Sequence, residues 1–567
     1  MKQISNYEKA KKIADSIDRE IIEVLKSKRS FCVEAGAGSG KTHSLLNVIN
    51  WLEENASSYD KAVACITYTN VAVDEIKERI STSSAIIPCT IHAFAWEAIK
   101  RFQKDLIVSL NSLELFNCFS QEEIESINKV NYTLGTRHIE DSIMYLHHDD
   151  VIEIFALFLN KIKFRKLLSQ KYSLILIDEY QDSSRIIMEK FLEFFINQNK
   201  GPQFGLFGDY WQTIYSLDKV CGEIKSENIV EIKKKSNFRS QEIIVEVLNN
   251  IRPELPQISA INENDGEVLV ILTNNYLGPR IPKGYYKDEL PDLILHDYIL
   301  NVFVELKKRG WGAKEETTKI FMLTHKMLSK QQEYSNLLEV LENGLKEQTD
   351  PHVNFFNNYL EPIYYSLSEN NASLLFEILG TNRQPLEARG KKLEWKKLYK
   401  GLDVSRKKQI YDVLKCAYES KLIPISDKIL SNFISYEKGE ADPQINRLYQ
   451  VKYSEVINAL TFFNENSIYA TNHGVKGAEY ENVFMVMGKG WNNYRFENIL
   501  YKKENELSGK QLESFIRNRN LFYVGCSRAK KRLAIMITIP VEKDFVEYLQ
   551  DLFGKENIVE YSELVKI

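Results

Sequence analysis

The stretch VEAGAGSGKTHSLL, from Val33 to Leu46, constrains the fold more than any other part of the chain. The apolar segment SFCVEA leads into a glycine-rich loop, and the loop opens a segment with apolar residues at helical spacing. This order of elements is the context of a phosphate-binding P-loop, because loop N–H groups and the helix N-terminus face an anion. A flexible linker is the alternative, but linkers do not lie between a buried strand and an amphipathic helix.

The residue types in this loop predict an ATP and Mg²⁺ site. Lys41 would reach the β- and γ-phosphates, and Thr42 would supply a hydroxyl to the metal. Ala35 stands at the first position, where the pattern has glycine. The predicted nucleotide-binding residues of the loop are Gly36, Ala37, Gly38, Ser39, Gly40, Lys41 and Thr42.

Length and composition narrow the class of protein. A chain of 567 residues is too long for one core, so several domains are expected. The net charge of −4 gives no global basic signal, so nucleic-acid binding would use local patches. Seven cysteines without a CxxC pair indicate a reducing compartment, and no apolar run of 18 residues is present. These features predict a cytoplasmic protein.

Two stretches of alternating strands and helices predict two open, parallel α/β sheets. Each stretch is interrupted by sequence with mainly helical spacing. The second stretch is predicted to begin with the strand IVEIKK. The predicted segments are residues 1–100 and 151–227 for the first sheet domain, 101–150 for its short helical insertion, 228–329 and 465–567 for the second sheet domain, and 330–464 for its helical insertion.

Two further segments place polar residues where apolar strands end. SLILIDEY ends in Asp178 and Glu179, which suit Mg²⁺ binding and proton acceptance from the attacking water. LFGDYWQTIY places Asp209 and Gln212 after the next strand, and a glutamine amide can sense a γ-phosphate. A surface Asp-Glu turn is the alternative for the first segment. The pattern of the second segment, taken by itself, is a weak indication of a nucleotide site.

Arginines that follow these segments in the chain predict a hydrolysis site completed across two domains. Arg239 follows Asn237 and Phe238, and Arg519 and Arg528 come near the end of the chain. An arginine that arrives from a second domain couples hydrolysis to domain closure. For any single arginine, a solvated surface position is the alternative.

In order along most of the chain, these segments resemble the superfamily 1A DNA helicases of the UvrD, Rep and PcrA type. The resemblance covers eight blocks: AGAGSGKT, TYTNVAVDEI, TIHAF, IDEYQD, GDYWQTIY, NFRS, TNHGVKGAEYENV and RNRNLFYVGCSRAKKRL.

This resemblance implies an α/β fold of two RecA-like P-loop domains with ATP between them. By position, Phe238 would stack on the base, Glu479 would hold the ribose, and Arg239 and Arg528 would reach the γ-phosphate. The implied catalytic residues are Lys41, Glu179, Gln212, Arg239 and Arg528, and the implied metal ligands are Thr42 and Asp178. The implied DNA-binding residues are Tyr68, Asn70, Thr90, His92, Tyr215 and His473.

For the two histidines in that set, a structural role at a strand end is the alternative. The aromatic positions agree with base stacking, which binds single strands without regard to sequence.

The chain also departs from the family pattern. It lacks the glutamine that usually precedes the P-loop lysine by about twenty residues, which leaves adenine selectivity open. Ser216-Leu217-Asp218-Lys219 replaces the family's Trp-Arg-Gly-Ala run, so the grip on DNA there should be weaker. A compact helicase of this kind also resembles the helicase subunit of Gabija-type antiphage systems, which works beside an OLD-family nuclease.

We therefore expect an ATP-dependent translocase or helicase on single-stranded or tailed duplex DNA, with 3′-to-5′ polarity implied by the resemblance. It would act in antiphage defence or DNA repair. The alternative is a DNA-sensing regulatory ATPase that licenses a partner nuclease with little unwinding. A P-loop small-molecule kinase is a third hypothesis, but it leaves the later blocks without a use.

Overall fold

A computed structural model describes most of the chain. The described residues are 5–55, 61–67, 69–81, 85–110, 119–133, 137–214, 218–284, 286–312, 314, 316–322, 325–346, 348–379, 389–464, 467–471, 477–488 and 506–565. The chain forms two compact units. The first comprises Met1–Asn275, Lys476–Val483 and Asn492–Glu560, and the second Tyr276–Val475, Phe484–Trp491 and Tyr561–Ile567.

Strands and helices alternate through the first part of the chain, and helices dominate its middle. The strands are β1 (Phe31–Ala35), β2 (Ala62–Thr67), β3 (Ile86–Thr90), β4 (Lys129–Tyr132), β5 (His138–Glu140), β6 (Ile143–Leu146), β7 (Tyr172–Asp178), β8 (Gln203–Gly208), β9 (Val230–Lys234), β10 (Ser236–Asn237), β11 (Ile258–Ser259), β12 (Glu267–Leu272), β13 (Thr318–Met322), β14 (Tyr469–Thr471), β15 (Tyr480–Met487), β16 (Ala529–Ile537) and β17 (Ile558–Glu560).

The α-helices are α1 (Asn6–Lys26), α2 (Lys41–Glu54), α3 (Asn70–Arg79), α4 (Ile91–Ile99), α5 (Gln103–Leu110), α6 (Gln121–Glu125), α7 (His148–Leu159), α8 (Ile162–Lys171), α9 (Arg185–Phe191), α10 (Glu242–Ile251), α11 (Asp292–Lys308), α12 (His325–Gln331), α13 (Ser335–Lys346), α14 (Pro351–Phe355), α15 (Glu361–Ser368), α16 (Ala372–Leu379), α17 (Arg389–Ser405), α18 (Ile410–Ser420), α19 (Asp427–Glu437), α20 (Pro443–Gln450), α21 (Tyr453–Phe463), α22 (Gly509–Cys526), α23 (Lys543–Phe553) and α24 (Tyr561–Leu564).

The first unit is organised around a six-stranded sheet in the order β3-β2-β7-β8-β1-β9. Every neighbouring pair is parallel. Alternate residues of the strands pack into two separate cores, so both faces are covered. Because the strands are parallel, their carboxyl ends meet at one edge, where ligands bind in such sheets.

Helix α1 covers one face of this sheet for reasons visible in its sequence. Ser5 and Glu8 form a capping box at its start, which satisfies free N–H groups of the first turn. Its buried residues recur at three- and four-residue spacing, from Ala10 through Ile17 to Leu25.

One expectation about the sheets is wrong. The strand IVEIKK, predicted to open the second sheet, is β9, and it pairs in parallel with β1 at the edge of the first sheet. Its partial burial is typical of an edge strand. Its pattern marks a strand but does not specify the sheet that the strand joins.

Parallel strands recur after β9 in both units. In the first unit, β12 pairs in parallel with β16 and β17. In the second, β13 pairs in parallel with β14. These pairings confirm the predicted α/β class with parallel sheets, whereas the boundaries of the four predicted segments stay predictions.

The two predicted insertions differ in character. Residues 101–150 contain helices but also β4, β5 and β6, a three-stranded sheet that the helical prediction omits. Residues 330–464 are helical where they are described, and in the second unit they share an apolar core of their own. A membrane-crossing helix would have to be longer and more apolar than any found among the described residues.

Candidate nucleotide-binding and hydrolysis site

The predicted P-loop connects β1 to α2 in the first unit. All five residues of β1 are buried, and Gly38 and Gly40 have φ of +74° and +78°, which side-chain-bearing residues rarely adopt. A Cβ atom on Gly38 would lie 2.7 Å from Asn237 Oδ1, so only glycine fits there. No side chain caps α2 at Gly40. The free N–H groups of its first turn are the donors that a phosphate requires.

The segment Asn237–Arg239 packs directly on this loop. The Asn237 side-chain amide donates to the Ala37 carbonyl at 3.0 Å, and the Phe238 N–H donates to the Gly38 carbonyl at 2.8 Å. Phe238 itself is 38% exposed, so its ring remains available for stacking. Sequence reasoning predicted Phe238 and Arg239 as nucleotide contacts, and the structure brings their segment to the loop.

Lys41 and the two carboxylates at the end of β7 lie together. The Lys41 ammonium contacts a Glu179 carboxylate oxygen directly and lies 4.0 Å from Asp178 Oδ1. Burial alone would lower the pKa of Lys41, but the two carboxylates raise it, so the lysine stays charged. Burial raises the pKa of Asp178 to about 6, opposed by the charge of Lys41.

Glu179 is held in an uncommon backbone conformation. Its φ is +50°, in the left-handed region, at the start of the short helical turn Tyr180–Asp182. The Gln181 side-chain amide donates to Glu179 Oε2 at 2.6 Å, while Gln181 Oε1 accepts the Asp209 N–H at 3.1 Å. Gln181 thus links the predicted base to the turn that carries Gln212. Strained backbone of this kind persists where the surrounding structure fixes it.

Gln212 and Arg528 meet beside this turn. The Gln212 amide donates to Asp209 Oδ2 at 2.8 Å, and its Oε1 accepts from Arg528 Nη2 at 3.1 Å. Arg528 is 1% exposed and also donates to the Val524 and Ala478 carbonyls. Burial, reinforced by the nearby charge of Arg239, lowers the pKa of Arg528 to about 10. A buried, densely bonded guanidinium has a fixed orientation.

Arg239 and Glu479 form the other side of the site. Arg239 Nη2 lies 3.1 Å from Glu479 Oε1, and Lys530 Nζ lies 3.0 Å from Glu479 Oε2. Burial would raise the pKa of Glu479, but these two cations lower it. The carboxylate predicted to hold a ribose is therefore ionised and contacts the arginine predicted to reach the γ-phosphate.

The donor set fits a nucleotide triphosphate with Mg²⁺. Ser39 Oγ and Arg239 Nε are buried without a hydrogen-bond partner among the described residues, and both belong to the loop region. Such orphaned groups are costly unless a ligand satisfies them. Thr42 is exposed in the first turn of α2, and Asp178 offers carboxylate oxygens of the kind that Mg²⁺ prefers.

The predicted DNA contacts that the structure describes lie along the same sheet edge. Thr90 ends β3, where its hydroxyl caps α4, and His92 lies in the first turn of that helix. Asn70 begins α3 after the neighbouring strand β2 and is exposed. His92 packs edge-on against His148 at 5.4 Å between ring centroids. Tyr68, Tyr215 and His473 lie outside the described residues.

Three buried residues near the site were missed by sequence reasoning. Glu34 lies in β1, Arg252 follows α10, and Tyr523 lies in α22, where its hydroxyl accepts the Ala37 N–H at 3.2 Å. The available signal was a charge inside an otherwise apolar strand, since a buried carboxylate needs a cationic partner. The sequence alone did not say which arginine this is.

Comparison with known proteins agrees with this geometry. The family model described as an AAA domain matches residues 18–218. The chain is 24% identical to the Gabija protein GajB of Bacillus cereus (strain HuB5-5), over 92% of this chain and 94% of that protein.

Two helicases match over shorter stretches. The ATP-dependent DNA helicase Rep of Buchnera aphidicola subsp. Acyrthosiphon pisum is 26% identical over 38% of the chain and 42% of its own length. A probable DNA helicase II homolog of Mycoplasma capricolum is 22% identical over 53% of the chain and 50% of its own length. The matches confirm the resemblance that the eight blocks indicate.

Proposed function

We propose that this chain, a P-loop ATPase of the UvrD-like superfamily 1A type, is a motor that uses ATP hydrolysis to move along single-stranded DNA. The observation that carries the proposal is the convergence in one unit of Lys41, Glu179, Gln212 and Arg528, which come from four separate stretches of the chain. Phosphoryl transfer needs this combination, because catalysis depends on positioning and charge stabilisation.

Each residue has a role in this proposal. Lys41 and the loop N–H groups bind the phosphates, and Thr42 and Asp178 would hold Mg²⁺, which neutralises charge on the β- and γ-phosphates. Glu179 accepts a proton from the attacking water. Gln212 and Arg528 contact the γ-phosphate together, since one already hydrogen-bonds to the other.

The DNA side of the proposal rests on the other end of the same sheet edge. Asn70, Thr90 and His92 follow β2 and β3, whereas the P-loop and Asp178 follow β1 and β7. A movement of the phosphate-binding residues would thus be transmitted to the DNA contacts through the sheet that carries both. The family resemblance supports 3′-to-5′ movement.

A partner nuclease is part of the proposal. The match to the Gabija protein GajB over 92% of the chain supports a place in a Gabija system. The resemblance to Gabija-type helicase subunits implies a role in antiphage defence beside an OLD-family nuclease. A second candidate function is a DNA-sensing ATPase that licenses this nuclease with little unwinding. Ser216-Leu217-Asp218-Lys219 favours it, because a leucine and an aspartate grip DNA less well than the family's tryptophan and arginine.

Two measurements on the purified chain test these functions. ATPase rate is measured with and without single-stranded DNA, and strand displacement is measured on tailed duplexes of each polarity. Stimulation by DNA and ATP-dependent displacement of the 3′-tailed duplex support the motor. Stimulation without displacement supports the sensing ATPase. Lys41→Ala serves as the inactive control, and an ATPase rate indifferent to DNA but raised by a metabolite would overturn both.

A further inference from the structure

We propose that Arg252 is a positioning residue that sets the orientation of Gln212 through Asp209. The side-chain hydrogen bonds of Arg252 to described residues go to carboxylates. It acts through one of these, Asp209, which Gln212 also contacts. This inference rests on the proposed function, because Gln212 matters only if the site hydrolyses a nucleotide.

Arg252 lies at the centre of a buried cluster of charges in the first unit. Its side chain is 2% exposed, and its Nη1 lies 2.6 Å from Asp209 Oδ1. The Asp209 carboxylate is fully buried. Its Nη2 lies 2.8 Å from Glu34 Oε1, and its Nε lies 3.2 Å from Glu254 Oε1. Each of the three guanidinium nitrogens therefore contacts a different carboxylate, an arrangement that no other side chain can make.

Asp209 divides its two oxygens between Arg252 and Gln212. Oδ1 accepts from Arg252, and also from the Trp211 N–H at 3.1 Å, while Oδ2 accepts the Gln212 amide at 2.8 Å. Because the amide nitrogen is bound by Asp209, the amide oxygen faces Arg528. The carboxylate that Arg252 holds in place thus decides which end of Gln212 points to Arg528.

The second carboxylate connects the same cluster to the phosphate-binding loop. Glu34 lies in β1, two residues before Gly36, and its oxygens also accept from the Tyr180 hydroxyl at 2.8 Å and the Tyr210 N–H at 3.2 Å. Arg252 therefore ties the strand that leads into the loop to the turn that carries Gln212.

Aromatic rings complete the surroundings of the guanidinium. The rings of Tyr210, Trp211 and Tyr523 lie 5.1, 5.3 and 5.7 Å from the Arg252 guanidinium carbon. Contacts of a cation with aromatic faces are attractive and exclude water from the charges. Removal of the whole side chain would leave two carboxylates buried without a cation, so an alanine variant is a poor test.

A double-mutant cycle separates positioning from structural damage. Arg252→Lys keeps the positive charge but cannot contact both carboxylates with a planar fork. We expect it to lower kcat for ATP by about tenfold or more with KM changed by less than about twofold, since the loop still binds phosphate. In the Gln212→Ala background, the same change should lower kcat by less than about twofold.

The matched control is Arg137→Lys, which alters another buried ion pair, with Asp150, in residues 101–150. We expect it to shift thermal stability without changing kcat. If Arg252→Lys does not fold, the paired variant Arg252→Gln with Glu34→Gln replaces it, because that pair replaces both partners of one contact.

The outcomes distinguish failure of the positioning role from failure of the proposed function. If Arg252→Lys lowers kcat by the same factor with and without Gln212, the positioning role is wrong and the proposed function stands. An unchanged kcat also overturns the positioning role. If the parent chain hydrolyses no ATP, the proposed function is wrong. If Gln212→Ala hydrolyses ATP at the parental rate, the role assigned to Gln212 is wrong, and the positioning role of Arg252 is wrong with it.

Discussion

Arg528 Nη2 donates to Gln212 Oε1 at 3.1 Å, although the two residues are 316 positions apart in the chain. The contact joins the turn after β8 to the segment between α22 and β16. Two groups predicted to sense the γ-phosphate are therefore in direct contact with each other.

This contact predicts the effect of Arg528→Lys. The lysine keeps a charge but cannot donate to Gln212 and to the Val524 and Ala478 carbonyls at once. We expect kcat for ATP to fall by about 100-fold or more, measured by a coupled ATPase assay, with nucleotide affinity little changed. Arg532→Lys, in the strand β16 that follows Arg528, is the control. An unaltered kcat would mean that Arg528 is structural.

Glu179→Gln tests the proposed general base. The glutamine cannot take a proton from water, but the loop, Lys41 and Asp178 remain, so we expect nucleotide binding to persist while hydrolysis slows by roughly 100-fold or more. Binding is measured with a fluorescent ATP analogue and hydrolysis in single-turnover experiments. Glu189→Gln, an exposed glutamate paired with Arg185, is the control. Hydrolysis at the parental rate would refute the assignment.

Glu34 predicts a pH-dependent contribution to stability. Burial, with Asp209 nearby, raises its pKa from 4.5 to about 7 despite Arg252. The folded state therefore binds a proton more readily than the unfolded state, and stability from this group, full below pH 4.5, is lost as pH rises to about 7.

The variant Glu34→Gln should lack this dependence. We expect the parent's free energy of unfolding, relative to that of the variant, to fall as pH rises from 5 to 7, by at most about 1.4 kcal/mol per pH unit. The difference between the two free energies of unfolding should become constant above pH 8. Urea unfolding at each pH measures the difference, and a constant difference would contradict the raised pKa.

His92→Ala tests the predicted DNA contacts. If the ring stacks on a base, its loss should weaken single-stranded DNA binding by roughly 1–3 kcal/mol in fluorescence anisotropy. Burial, with His148 nearby, lowers the pKa of His92, so the ring is neutral at pH 7 and does not attract phosphate by charge. The control is His138→Ala, since His138 stacks on Tyr145 instead. Equal affinities for both variants would indicate a structural histidine.

Local sequence was sufficient for the parts of the site that depend on one segment. The P-loop, and the carboxylates after β7, follow from a strand, a turn and the residue types at the strand end. The same reasoning placed IVEIKK in the wrong sheet and omitted β4, β5 and β6, because strand partners depend on contacts distant in sequence. Arg252 shows the limit most clearly. Its partners Glu34 and Asp209 are 218 and 43 positions away, and no local pattern pairs them.

The contact between Lys41 and Glu179 has a further consequence for the state of the site before a nucleotide binds. Under the proposed function, Glu179 cannot act as a base while the ammonium neutralises its carboxylate. A triphosphate would draw the lysine toward its own oxygens and so free the carboxylate when the substrate is in place. Arrival of the substrate and release of the base would then be the same event.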